Sequence, residues 1–279
     1  MFKYRFAFLF LLSTAAILCG CKPGDNSEKQ PEIAVSNSYL RSIVNDICAE
    51  QAEVMSLAPA GMCPGHFDIS PYQVSQLCEC KILLLFDFQE NIGDSLSRLK
   101  ERGLKIQTVK CPEGLCLAET YLTIARSVCD FLSQGNPAGK AEYNKQLEQI
   151  KNRLDDFTAG IQLKMKQSGL TGVEVVTSAH QEKFADWLGL DVVATFAGSD
   201  IETPGSINRC LQQAKDKDVR FIIANKQEGT VLATALANRL NADMVVFSNF
   251  PAGQSDTTGM SDFDGLLLEN ISNLLNAGE

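Results

Sequence analysis

The sequence predicts two Rossmann-like α/β lobes with parallel sheets, joined by one long rigid helix. Three observations carry that reading. Short β-rich runs alternate with amphipathic helical stretches on both sides of the chain's middle, the pattern of parallel strands with helical crossovers. Ile82-Leu83-Leu84-Leu85-Phe86 is an unbroken apolar run, as expected of a strand covered on both faces. Between Tyr143 and Met165, apolar residues recur at steps of three and four with only Gly160 interrupting.

In the first half, Glu32-Ile33-Ala34-Val35-Ser36 reads as a strand, followed by a helix with Tyr39, Ile43 and Ile47 on one face. Ala52 to Leu57 is a second strand, the 82–86 run a third, and Leu104 to Val109 a fourth. Leu117 to Leu132 then reads as a helix. The stripe Tyr143, Leu147, Ile150, Leu154, Phe157, Ile161 and Met165 predicts one helix over 138–168, about 30 residues and roughly 45 Å long. Its single apolar face fits a helix lying along a body; a coiled-coil dimer is the alternative, with only about three heptads to support it. After Gly169 the alternation resumes. Strands are expected at Val173–Thr177, Asp191–Phe196, Val219–Ala224 and Met244–Ser248, and helices at Gln181–Leu188, Ser206–Asp216, Thr230–Leu240 and Phe263–Leu275. The resulting divisions are 1–20, a signal peptide; 21–31, a tether; 32–136, the first lobe; 137–169, the connecting helix; and 170–279, the second lobe. Ligands of open parallel sheets sit beyond the carboxyl ends of the strands, so two such lobes place a cleft between them.

The composition, 45% hydrophobic and 21% charged over 279 residues, is that of a globular chain with a sizeable core. The formal charge of −9 speaks against nucleic acid, which demands clustered Lys and Arg. At the N-terminus, Lys3 and Arg5 form a basic region, and Phe6 to Leu18 an apolar stretch of signal-peptide length, too short for a membrane span. Leu18-Cys19-Gly20-Cys21 resembles a bacterial lipobox; cleavage after the small Gly20 would leave Cys21 as the lipid-bearing N-terminus. An ordinary secretory signal is the alternative. Residues 22–31 are polar and breaker-rich, as a flexible tether is.

Eight further cysteines follow: Cys48, Cys63, Cys78, Cys80, Cys111, Cys116, Cys129 and Cys210. In an exported chain they form disulfides, or stay reduced where oxygen is absent. Eight cysteines allow 105 connectivities, and the best single pair is Cys111 with Cys116, across a short loop. Cys78-Glu79-Cys80 lies where a helix passes into the buried strand; alternate residues point oppositely there, so the pair reads as structural.

The only two histidines, His66 and His180, each follow a predicted strand, one per half. Cys63-Pro64-Gly65-His66 carries Pro-Gly at the centre of a type II turn, which brings its outer residues within about 7 Å between Cα atoms. Thiolate plus imidazole suits Zn²⁺ or another borderline-soft ion. A turn whose Cys63 is disulfide-bonded or buried is the competing reading. Asp68 is placed to orient His66, Glu182 stands two residues past His180, and Asn225 and Asn249 end strands. Cys63, His66, His180 and Asn249 would suffice for four-coordination, with water filling any gap. No Ser-His-Asp order, HExxH or GxxxxGK[ST] is present, so no catalytic site is read.

The chain resembles the TroA/ZnuA-like metal-binding lipoproteins, the solute-binding family 9 of ABC importers, over about 32–276. Ile33–Ile47 resembles that family's opening strand and helix, and Gly61–Pro71 its stretch around the first ligand histidine. The long helix matches its rigid backbone helix. Ser248-Asn249-Phe250-Pro251-Ala252 and Asp264–Asn270 resemble its last strand end and final helix. The resemblance implies an extracytoplasmic binding protein, not an enzyme. Its cargo would be a divalent transition metal, zinc foremost, and its partner an ABC permease. It would be held to the membrane through Cys21 and act as a monomer. The family supplies His, His, Glu or His, and Asp from four strand-end loops. Here the first histidine comes one place late at His66 when Pro64 is aligned, and the second falls near Gly114, which is not a ligand. The third falls near Ser178 or Ala179, with His180 just beyond, and the fourth at Asn249. These departures leave a second reading, a binding protein for a metal chelate such as a siderophore or corrinoid, against which the single Trp187 counts. A third is a cysteine-rich envelope protein with a thiol or disulfide role, against which the lack of Cys-x-x-Cys among the mature cysteines counts.

Overall fold

The computed structural model describes residues 32–49, 52–63, 65, 68–198, 202–253 and 260–278. The signal peptide, the lipobox with Cys21, and His66 therefore lie outside the described residues.

The first lobe comprises β1 (Ile33–Val35), α1 (Ser38–Ile47), β2 (Val54–Ser56), α2 (Pro71–Leu77), β3 (Ile82–Phe86), α3 (Glu90–Ser95), α4 (Ser97–Glu101), β4 (Lys105–Val109) and α5 (Ala118–Gly135). Helix α6 (Lys140–Gln167) follows. The second lobe comprises β5 (Glu174–Ser178), α7 (Glu182–Trp187), β6 (Asp191–Phe196), α8 (Pro204–Ala214), β7 (Phe221–Asn225), α9 (Val231–Leu240), β8 (Asp243–Phe247) and α10 (Asp262–Gly278). Each lobe has a four-stranded parallel sheet, in the orders β2-β1-β3-β4 and β6-β5-β7-β8. The two lobes thus repeat one topology.

Strand alternation divides the interior into three cores. Side chains of neighbouring strand residues point to opposite faces. In the first lobe Ala34, Leu83 and Leu85 face an outer core with Leu77, Leu96 and Leu99, under α2 and α4. In the second, Val176, Ile222 and Ala224 face an outer core with Cys210, Ala214 and Leu236, under α8 and α9. The inner faces meet in one central core: Val35, Leu84 and Phe86 from the first sheet, Val175, Ile223 and Phe247 from the second, with α1, α5, α6 and α10 between them. Helix α6 runs 28 residues, about 42 Å. It buries Ile150, Leu154, Ile161 and Met165, so its apolar stripe is spent within the chain, chiefly against α5 and α1.

Helix α2 is the helix expected to pass into the buried strand, whereas α3 and α4 lie where the sequence reading places no element. All are short, and α2 is fixed locally by Pro71 in its first turn and by a reciprocal cap between Ser70 and Gln73. Strands β1 and β2 are shorter than the 32–36 and 52–57 expected, since only three residues of each align in the sheet. The expected Cys111–Cys116 disulfide is corrected: every described cysteine is a free thiol. The Cys116 thiol donates across to the Ser248 carbonyl of the second lobe at 3.1 Å. Cys78 and Cys80 behave as structural residues, the first exposed with its thiol on the Val74 carbonyl, the second buried in the outer core.

An ionic knot ties α6 to both lobes. Arg153 grips Asp46 of α1 with two nitrogens, at 3.2 and 2.7 Å, and its Nε lies 3.1 Å from Asp264 of α10. Tyr121 of α5 donates to Asp46 at 2.7 Å and stacks on Phe263 with ring centroids 4.1 Å apart. Burial pushes the Asp264 carboxyl up to about 6; the Arg153 charge opposes this, but that charge is shared with Asp46, whose own charge adds to the rise.

Candidate functional site

The carboxyl ends of both sheets converge on one seam, and the strand-end loops meet across it. The 59–61 turn packs on residues 250–253 so closely that a Cβ on Gly61 (φ +73) would stand 3.6 Å from the Ala252 Cα. Gln227, just past β7, donates to the Gly61 carbonyl at 2.9 Å and to Ser248 Oγ at 2.9 Å, and accepts from the Asn249 N–H at 3.0 Å. Lys183 of α7 pairs with Glu113 of the first lobe at 2.8 Å on the rim.

Behind the rim lies a buried amide network. Gln181 is fully buried; its Nε2 donates to Asn225 Oδ1 at 3.3 Å and to Asn249 Oδ1 at 3.1 Å. Asn249 Oδ1 also faces the Cys116 thiol at 3.5 Å, and Asn270 Nδ2 donates to the Ser248 carbonyl at 2.9 Å. Burial holds the Cys116 thiol protonated, far above the ordinary thiol range. Both Asn225 and Asn249 are thus occupied by neighbouring side chains at the floor of the seam.

His180 stands differently. It follows β5 in a short 3-10 turn, Ala179–Gln181, in which Ser178 Oγ accepts from the His180 N–H at 3.3 Å. Its Nδ1 is 2.8 Å from Glu228 Oε1, and Glu228 Oε2 accepts from Ser178 Oγ at 2.5 Å. The hydrogen bond that the imidazole donates to Glu228 raises its pKa above the ordinary value, against partial burial. Glu228 is pulled up by burial, but the hydrogen bonds from His180 and Ser178 and the imidazole charge outweigh this and hold it below the usual carboxylate range. A carboxylate accepting from Nδ1–H fixes the tautomer in which Nε2 carries the free lone pair. The imidazole is 62% exposed, so Nε2 is accessible. Sequence reasoning placed Glu182 beside His180; that residue opens α7 and is exposed, whereas the carboxylate that meets the imidazole is Glu228, 48 residues on. The signal was present only as topology: β5 and β7 are neighbours, so residues just past their ends adjoin.

In the first lobe, Cys63 is half-buried and packs against the central core, and Asp68 is exposed. Gly114, where the resemblance places a second ligand, is committed to glycine. Its φ is +76, and a Cβ there would lie 2.8 Å from Leu117 Cδ1 and 3.3 Å from Lys183 Cβ. A histidine does not fit that loop as it stands. Among the described residues no group of three or more His, Cys, Asp or Glu side chains is gathered to hold an ion. Among the same residues no helix is long and apolar enough to cross a membrane.

Repeated α/β lobes, a rigid helical spacer and a seam at the strand ends define a two-lobed solute-binding fold. The chain belongs to the family described as zinc-uptake complex component A, periplasmic, whose model matches residues 33–277. That family consists of transport binding components, not enzymes. Solved structures share the fold. A crystal structure of ZnuA is 16% identical, with a TM-score of 0.69 over 89% of this chain and 99% of that one. The Mn-bound periplasmic metal-binding protein of Candidatus Liberibacter asiaticus is 14% identical, with a TM-score of 0.71 over 88% and 99%. The Cd-bound form of that protein is 15% identical, with a TM-score of 0.72 over the same shares. No match was found among curated protein sequences.

Proposed function

We propose that this protein is the extracytoplasmic, lipid-anchored binding component of an ABC importer, and that it captures a divalent transition metal, zinc foremost, between its lobes for delivery to a permease. The observation that carries the reading is the His180–Glu228 contact at 2.8 Å, which presents a lone-pair nitrogen at the rim of the seam. Cys63 and His66 supply donors from the first lobe. Asn249 and Asn225, held by Gln181, shape the floor and stand behind the ion. Asp68 and Glu182 add negative charge at the rim. Family membership supports the transport role. Cleavage before Cys21 supplies the lipid anchor, and residues 22–31 give the body reach from the membrane.

The test is metal content. The mature protein is purified, stripped with chelator, reloaded with Zn²⁺ or Mn²⁺, and assayed by mass spectrometry beside a His66→Ala, His180→Ala variant. One equivalent retained by the native chain and lost by the variant is the expected result. Equal retention by both removes the histidines from the site, and no retention by either ends the metal reading.

A further inference from the structure

One short turn serves both halves of the seam. After β7 the chain makes a single 3-10 turn, Lys226–Glu228, and leaves it through Gly229 at φ +79 and ψ 175, a backbone conformation essentially closed to other residues. Two neighbouring side chains of that turn take different tasks. Glu228 meets His180 within the second lobe, and Gln227 reaches across to the first. The Gln227 amide uses both of its ends. Its Nε2 donates to the Gly61 carbonyl and to Ser248 Oγ, each at 2.9 Å, while its Oε1 accepts from the Asn249 N–H at 3.0 Å. That set fixes the orientation of the amide, because exchanging its oxygen and nitrogen would oppose oxygen to a carbonyl and nitrogen to an N–H.

Gly61 is held from both sides. Its N–H donates to Ser38 Oγ of α1 at 3.3 Å, inside the first lobe, and its carbonyl belongs to Gln227 of the second. Glycines let the two backbones approach here: a Cβ on Gly61 would stand 3.6 Å from Ala252 Cα, and one on Gly253 would stand 3.3 Å from Ala60 Cβ. Cys63 follows in the same segment, two residues past Gly61. The bonds of Gln227 go to backbone groups and a hydroxyl, so its influence on an ion is exerted through them.

We propose that Gln227 is a positioning residue: it clasps the turn that leads to Cys63 and His66 onto the second lobe, and so slows release of an ion held between the lobes. The inference rests on the metal-binding reading above and deepens it by naming a residue that sets how long the cargo stays. The physical reason is preorganisation. A loop already fixed loses less conformational freedom when the ion arrives, and release requires first-lobe donors to withdraw from His180, which the clasp opposes.

Two variants separate its bonds. Gln227→Met keeps the length of the side chain and removes all three; Gln227→Glu keeps an acceptor for the Asn249 N–H and removes both donors. In metal-stripped protein, hydrogen exchange over 59–63 should run at least about fivefold faster in both variants, with β1 and β7 as in the native chain. In zinc-loaded protein, release into a chromogenic chelator should be about tenfold faster in Gln227→Met, with the capture rate changed by less than about twofold. A merely structural role would not show the next result. In a His180→Ala background loaded with excess zinc, Gln227→Met should alter release by less than about twofold, because the ion no longer bridges the lobes. Native exchange over 59–63 in both variants, or equal acceleration of release with and without His180, overturns the role. The two readings fail separately. A native chain that retains no zinc overturns the metal reading and this role with it. A native chain that retains zinc, with Gln227→Met releasing it at the native rate, overturns this role alone.

Discussion

Replacing Glu228 with glutamine keeps an acceptor for His180 Nδ1 and removes the charge. At 2.8 Å, a charge-assisted hydrogen bond contributes about 1.5–3 kcal/mol when buried. The imidazole is 62% exposed, and solvent screening brings the contribution down to about 1 kcal/mol. Glu228→Gln should therefore lower the His180 pKa toward its ordinary value. The assay is proton NMR of the imidazole C–H resonances through a pH titration, with the His66→Ala variant assigning the two histidines. The sign for metal binding follows. The folded-state pKa is raised, so protons compete more strongly at His180, and zinc affinity should fall as pH descends through that pKa and level off above it. Glu228→Ala, which removes the acceptor as well, should weaken zinc about tenfold at pH 7.5. Ser178→Ala is an intermediate case, because Ser178 holds the other Glu228 oxygen. A His180 pKa that does not move in Glu228→Gln would refute the reasoning, since the contact would then not exist in solution.

Two further outcomes test the frame that holds the site. The Asp264 carboxyl rises from 3.8 to about 6 on folding, so the folded state binds more protons than the unfolded state between those values. Stability from this group is present at low pH and is lost as pH climbs from about 4 to 6, at most roughly 3 kcal/mol. Urea unfolding across that range should show the native chain losing ground to Asp264→Asn; a pH-independent gap between the two contradicts it. Gly114→Ala forces a side chain into φ +76 and against Leu117, and should lower stability by about 1–3 kcal/mol in thermal or urea unfolding. An unchanged midpoint would show that this loop is free to accept a ligand side chain.

Much of the fold was legible because its signals are local and repeated. The Ile82–Phe86 run, the stripe through Ile150, Leu154, Ile161 and Met165, and the β/α rhythm on either side each follow from hydrophobic periodicity, which backbone geometry imposes on any sequence that folds this way. The short helices α3 and α4 were not legible, because six and five residues carry too few turns to show a period. The Cys111–Cys116 pairing failed for another reason: nearness along the chain suggested it, but the Cys116 thiol is drawn to a carbonyl 132 residues away.

By itself, then, the sequence determined two parallel-sheet lobes, the helix between them, and which residue types were available for binding: two imidazoles, a set of thiols and several strand-end amides. It could do so because burial and chain periodicity are read residue by residue. Only the tertiary structure decided which of those groups meet. The adjacency of β5 and β7 gave His180 the carboxylate of Glu228 in place of Glu182. The packing of the two lobes set the Cys116 thiol on the Ser248 carbonyl of the second lobe. Such pairings depend on strand order, which joins residues far apart in the chain and leaves no periodic trace along it.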